Sequence, residues 1–110
     1  MATLNTGLII AGAYADKARR VLMAQVKGQV NPQEAVRASA ELNKVLYEVI
    51  VNGIKADKGD VVRVVIDYEL NNNQIKWNFE TLRIEFFKRV PDEEVKRKIC
   101  EALTKVMGAR

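Results

Sequence analysis

Histidine is absent from the chain and cysteine occurs once. Without imidazole, the commonest general base and the commonest zinc ligand are both missing. The lone Cys100 cannot form an internal disulfide, which points to a reducing compartment. Few nucleophile–base pairs can then be assembled, so the sequence argues against an enzyme. Glycine-rich phosphate loops of known spacing are lacking, and Asp57, Gly59 and Asp60 are not spaced as a calcium loop. No metal or cofactor is implied. Long apolar runs are missing as well. The stretch Leu8-Ile9-Ile10-Ala11-Gly12-Ala13 is too short to span a bilayer, and no basic region precedes it. The expected setting is the cytoplasm, without a membrane.

What is present fits one globular domain over residues 1–110, with 48% hydrophobic and 29% charged residues. Eighteen Lys and Arg against fourteen Asp and Glu give a net charge of +4. A mildly basic balance permits nucleic acid as a partner without requiring it. The excess is uneven. Residues 1–30 carry four basic residues and one acidic, and residues 82–110 carry eight and five. The stretch between them is net negative.

Periodicity divides the chain into α-α-β-β-α. Leu8, Ala11, Ala15, Ala18, Leu22 and Val26 recur at steps of three and four and predict a helix over 6–27. Gly12 inside it hints at close packing. The second helix starts with Asn31 as N-cap, Pro32 in its first position and Glu34 as the third residue of a capping box. It runs to about Asn52, with Gly53 as its C-terminal cap. Its polar stripe is Glu34, Arg37, Glu41, Lys44 and Glu48, with Arg37–Glu41 and Lys44–Glu48 pairs.

The organising stretch is Asp60–Val90, which holds the one tryptophan and all three phenylalanines. With Asn71 to Gln74 as the loop, Leu70 pairs with Ile75, Tyr68 with Trp77 and Ile66 with Phe79 on one face. Glu69–Lys76 and Asp67–Asn78 fall on the other. Alternation then slips by one residue. A β-bulge near Glu80-Thr81 returns Leu82, Ile84 and Phe86 to the first face, opposite Val64 and Val62. Asp92 is expected to cap a short last helix with an apolar seam of Val95, Ile99, Leu103 and Val106 or Met107, closed by Gly108. Cys100 beside that seam reads as a buried structural thiol. The fold class is α+β: a long antiparallel hairpin sheet packed on two long N-terminal helices and one short C-terminal helix. Both hairpin edges are open in this reading, so self-association is expected.

Aromatic and basic residues interleave on the hairpin: Arg63, Tyr68, Lys76, Trp77, Phe79, Arg83, Phe86, Phe87, Lys88 and Arg89. Proteins that bind single strands combine a positive groove with aromatic faces for bases. The alternation favours core for Trp77, Phe79 and Phe86, while Phe87 falls on the polar face. On the first helix Lys17, Arg19 and Arg20 cluster next to Tyr14.

The opening TLNTGLIIAGAYADKARRVL and the hairpin YELNNNQIKWNFETLRIEF resemble the ThermoDBP-related proteins, archaeal single-stranded DNA-binding proteins that lack an OB-fold. The resemblance covers essentially the whole chain. It implies an α+β domain, not an OB-fold, with a cleft of apolar floor and basic rims that binds single strands. It also implies self-association, which differs between related groups. Founding members continue into a C-terminal leucine zipper, whereas this sequence ends at Arg110, so the domain itself is expected to form the oligomer, a dimer or tetramer. The expected ligand is single-stranded DNA, with RNA kept open. Phosphate contacts are expected from Lys17, Arg19, Arg20, Arg63, Lys76, Arg83, Lys88 and Arg89. Tyr14, Tyr68, Trp77 and Phe79 are expected to form the floor, with Trp77 at the base of a cleft beside the first helix and Arg19, Arg20 and Lys76 around it. Two other readings compete: an oligomeric protein-interaction module, and an RNA- or duplex-binding chromatin-type protein.

Overall fold

The computed structural model describes residues 1–108. In chain order its elements are β1 (Ala2–Asn5), β2 (Ile9–Ile10), α1 (Tyr14–Val26), α2 (Pro32–Leu46), β3 (Val61–Asn71), β4 (Gln74–Phe87) and α3 (Asp92–Met107). The α+β class holds, with an antiparallel sheet and three helices.

β3 and β4 form the expected hairpin. Asn72 and Asn73 join them with φ of 54° and 64°. A two-residue turn with both central residues left-handed matches the strand twist, and asparagine tolerates that conformation better than most residues. Tyr68 faces Trp77, Glu69 faces Lys76 and Asp67 faces Asn78. The bulge is wider than one residue. Val65 faces Arg83 while Asp67 faces Asn78, so residues 79–82 stand opposite Ile66 alone. Thr81 holds it: its hydroxyl donates to the Asn78 carbonyl at 2.7 Å and accepts from the Asp67 N–H at 2.9 Å. Beyond it Ile84 meets Val64 and Phe86 meets Val62, as expected, but Ile66 and Phe79 are not direct partners.

The helix expected over 6–27 is shorter. Residues 2–10 instead form β1 and β2, both antiparallel to β3 along its outer edge. Three causes act together. The edge of β3 presents unpaired N–H and C=O groups. Thr6 is buried and bonds Val64 twice, its N–H to the Val64 carbonyl and its hydroxyl accepting from the Val64 N–H, each at 3.0 Å. Gly7, with φ +69°, supplies the kink between the two strands. A 3-10 turn at Ala11–Ala13 then leads into α1, so Gly12 is not a helix-interior residue.

α2 begins as expected, with the Asn31 side chain accepting from Gln33 N–H at 2.8 Å behind Pro32. Its last turns widen into a π-helical segment, Tyr47–Gly53. Gly53 lies inside that segment, and the left-handed residue after it is Lys55. At α3 the capping residue is Pro91 rather than Asp92, which is the first helical residue, while Gly108 closes the helix with φ +68° as expected.

Helices α1 and α2 cover one face of the sheet. Ala18, Leu22 and Val26 of α1 and Ala35, Ala38, Leu42 and Leu46 of α2 pack on Leu4, Val64, Ile66, Tyr68, Ile75 and Trp77. The alanines let the backbones approach closely. α3 contributes no buried residue, so Cys100 is exposed rather than buried. The molecule is accordingly long, 69 × 27 × 21 Å.

Two charged clamps fix the ends of the hairpin. Asp60, 1% exposed, accepts from the Arg89 and Asp57 N–H groups at 2.8 and 2.9 Å, which hold its carboxyl below the usual range. Glu34, read from sequence as a capping-box residue, instead reaches the hairpin tip. It accepts from Ile75 N–H at 2.7 Å, and its partner Arg37 donates to the Ile75 carbonyl at 2.9 Å. The Arg37 guanidinium is the main cause, and the Ile75 N–H the second, that lowers the Glu34 pKa from 4.5 to about 2.

Because the folded pKa is depressed, this clamp stabilises fully above about pH 4.5 and loses its contribution as pH falls toward 2. Glu34→Gln is expected to cost about 1–2 kcal/mol near neutral pH. Thermal melts of the two proteins should converge as the pH falls to about 2, and a difference independent of pH overturns this assignment.

Candidate nucleic-acid interface

The aromatic residues separate by depth. Trp77 is 6% exposed, its indole N–H donates to the Ala38 carbonyl at 2.8 Å, and its ring meets Tyr68 edge-on with centroids 5.3 Å apart. Tyr68 is buried too, with its hydroxyl on the Gln25 side chain at 2.7 Å, and burial raises its pKa. Both rings join α1, α2 and the sheet, and neither presents a face for a base. Phe79 in the bulge and Phe87 at the end of β4 are exposed, and Phe86 is half-buried.

The cations fall into three places. Lys17, Arg19 and Arg20 lie on α1, in the helical layer. Arg63, Lys76 and Arg83 lie on the opposite, uncovered face of the sheet, because each alternates with a residue that points at the helices. Lys88 and Arg89 lie at the root of α3. The structure therefore does not gather Arg19, Arg20 and Lys76 around Trp77. Sheet and helices separate them, since Lys76 and Trp77 are consecutive and point to opposite faces.

Pairing also differs among them. Asp16 takes both Arg19 and Arg20. Arg63 bonds Glu85 at 2.8 Å, Lys88 bonds Asp57 at 3.4 Å, and Arg89 bonds Asp92. Lys17, Lys76 and Arg83 have no carboxylate within salt-bridge distance among the described residues. The sheet face sets Arg63, Lys76 and Arg83 against Asp67, Glu69 and Glu85, so it carries no excess. On α1 and the turn after it, Lys17, Arg19, Arg20 and Lys27 face one acid, Asp16, while α2 sets Arg37 and Lys44 against Glu34, Glu41 and Glu48, so the helical layer is net positive and its cations concentrate on α1.

That layer also holds a groove. Tyr14, Ala40, Asn43, Lys44, Tyr47 and Glu48 line an open trough of about 580 Å³ between the start of α1 and the end of α2. Asn43 fixes its floor by donating to the Ala15 carbonyl at 3.3 Å. Burial raises the Tyr14 pKa, and the neighbouring Tyr47 phenol raises it further. Tyr47 is 48% exposed. Lys17 stands one turn beyond Tyr14 on α1, and Lys44 one turn before Tyr47 on α2. Two phenol rings with flexible ammonium groups on the same layer can stack a base and hold its phosphate. Tyr47 was not singled out from sequence, and Lys44 was read only as part of the polar stripe of α2. The signal was their spacing on α2, which the wide apolar surface of that helix obscured.

Three comparisons place the chain among known proteins. The family model described as ThermoDBP-related, archaea, matches residues 4–76. The crystal structure of apeThermo-DBP-RP2 bound to ssDNA dT10 is similar with a TM-score of 0.84 and 44% identity, covering 98% of this chain and 53% of that one. The crystal structure of pfuThermo-DBP-RP1 is similar with a TM-score of 0.78 and 36% identity, covering 97% and 74%. The chain thus spans about half the length of the first of these relatives. Curated proteins gave no match. Among the described residues, no helix is long and apolar enough to cross a membrane, and no group of histidine, cysteine and acidic residues could hold a metal ion.

The core position of Trp77 has a direct optical consequence. Its emission is expected to be blue-shifted and weakly quenched by acrylamide, and Trp77→Phe to destabilise the fold by about 1–3 kcal/mol as the Ala38 carbonyl loses its donor. Strong quenching would place the ring at the surface instead.

Proposed function

The chain belongs to the ThermoDBP-related family of archaea, and from that membership we propose a non-enzymatic protein that binds single-stranded DNA in a sequence-tolerant way. The observation that carries this reading is the Tyr14–Tyr47 groove, which lies beside the cation-rich α1 on a layer of net positive charge. A 44% identical relative was crystallised bound to ssDNA dT10. In this proposal Tyr14 and Tyr47 stack bases, while Lys17, Lys44, Arg19 and Arg20 take phosphates. Arg19 and Arg20 share one carboxylate, which leaves guanidinium N–H groups free for an oxyanion. Tyr68 and Trp77 act from beneath, by fixing α1 and α2 to the sheet. Arg63, Lys76, Arg83, Lys88 and Arg89 lie outside the groove and act through the overall field. RNA offers the same phosphates and bases, so it enters as a competing ligand.

The protein works as a homo-oligomer. The support is the unpartnered seam of α3, where Val95, Ile99, Leu103 and Val106 are 44–79% exposed. A row of this size left in water costs the isolated chain roughly 1–2 kcal/mol per side chain compared with burial.

Anisotropy titrations of a labelled single-stranded oligomer at two salt concentrations test the reading. Affinity should fall with salt, with a slope of about −0.7 per phosphate contact. Lys17→Ala should flatten that slope by about 0.7, and Tyr47→Ala should weaken binding by about 1–3 kcal/mol. Unlabelled duplex should compete poorly. Salt-independent affinity, or a Tyr47→Ala variant that binds as the parent does, overturns the proposal.

A further inference from the structure

We infer that β4 is a self-association edge, where residues 82–86 pair antiparallel with the same residues of a second copy about a two-fold axis at Ile84. The inference rests on the homo-oligomer proposed above and names its contact.

The edge is open by elimination. β3 has β1 and β2 on one side and β4 on the other, and no strand among the described residues pairs with the far side of β4. Near the hairpin tip that far side is already used, because Glu34 and Arg37 take the N–H and carbonyl of Ile75. After the bulge, which Leu82 closes, Arg83-Ile84-Glu85-Phe86 runs in regular register with β3 and has no such cover. A regular edge strand with unpaired backbone groups and alternating apolar residues is a template for another strand.

The side chains select one occupant and one register. A two-fold axis at Ile84 sets Arg83 opposite Glu85 of the partner subunit, and the reverse, on the uncovered face. An axis at Arg83 or at Glu85 would instead oppose like charges. The local bonding leaves both groups available. Arg83 has no carboxylate partner among the described residues. Both Arg63 contacts go to Glu85 Oε1, at 2.9 and 2.8 Å, and no hydrogen bond to Oε2 is formed among the described residues. Closing the pair completes an Arg63–Glu85–Arg83 network across the boundary. On the other face the same register brings Leu82 against Phe86 of the partner subunit and Ile84 against its own copy. All three are only half-buried in the single chain, Leu82 and Ile84 at the margin of the core. Directly opposed residues in such a pair have Cα atoms about 4.5–5.5 Å apart, within the Cα separation that a disulfide bridges.

The test uses the full chain carrying Cys100→Ser, so that the one native thiol cannot interfere. Ile84→Cys in that background, mildly oxidised with diamide, should give a disulfide-linked dimer as the main product. Adding Arg83→Glu sets two carboxylates against each other across the boundary and should cut the yield severalfold. Adding Glu85→Arg to that variant restores opposite charges and should return most of the yield, although Arg63 has lost its partner. Melting temperatures of each variant report folding independently. If sedimentation shows an oligomer but Ile84→Cys does not cross-link, or cross-links regardless of charge, the β4 interface is wrong and the oligomer reading stands. A native chain that sediments as a monomer at tens of micromolar overturns both.

Discussion

A hairpin has two edges of unsatisfied backbone, and the disposal of those groups governs this molecule. On β3 the chain uses its own N-terminus, with Thr6 and Gly7 fitting two short strands along one long one. On β4 it covers only the tip, through the Glu34–Arg37 pair on Ile75. Each solution then fixes a neighbour. The N-terminal strands turn at Ala11, whose N–H donates to the Asp60 carbonyl at 2.6 Å, and this sets where α1 begins. The tip clamp sets the height of α2 on the sheet. The helices are placed as much by these backbone requirements as by their apolar faces.

Once the helices lie on one face, charge is partitioned with them. The sheet's uncovered face alternates acids and bases from adjacent strands, so its ions neutralise one another in place, as Arg63 and Glu85 do. α1 has no facing acidic strand, and Asp16 must serve two arginines. A polyanion therefore meets a net attraction on the helical side and a balanced surface on the sheet side. The two faces thus differ in net charge without invoking any single contact.

Much of the fold was legible in the sequence. Period-two alternation revealed the hairpin, its pairs near the turn and its bulge, and Asn31-Pro32 marked the start of α2. What misled was the N-terminus. Leu8, Ala11, Ala15 and Ala18 satisfy a helical period, yet the first lies between two strands and is more than half exposed. Local periodicity carried no information about the vacant edge of β3, which only the assembled sheet presents. Glu34 was misread for a similar reason, since its position fits a capping box and its actual partner is 41 residues away. At the candidate site, alternation correctly favoured core for Trp77. It could not show that Lys76, its neighbour, would be parted from the helix-borne arginines by the sheet itself. Nor could it show that Tyr47 would line one groove with Tyr14, since that placement arises only from the packing of α1 on α2.

Two unpartnered surfaces remain, and they differ in kind. The edge of β4 offers directional backbone bonds and a self-complementary charge pattern, so it can specify one geometry. The α3 seam offers apolar rows without a register mark, since its acids and bases are balanced and its exposed residues recur at steps of four and three. A chain with two self-complementary surfaces closes into a tetramer when their axes are perpendicular, and extends into a filament when they are not. α3 leaves β4 through Lys88–Pro91, and that junction sets the angle between the two surfaces. It is held at four points: Arg89 N–H on Asp60, the Arg89 side chain on Asp92, and Lys88 on Asp57 and near Asp60. Gly59 leaves room for this, because a Cβ there would stand 2.9 Å from the Arg89 guanidinium. Asp60, whose carbonyl fastens the N-terminal strands, thus also aims, through its buried carboxylate, the helix that carries the second surface. The angle between the two surfaces is linked in this way to the same edge-saturating constraint that organises the chain.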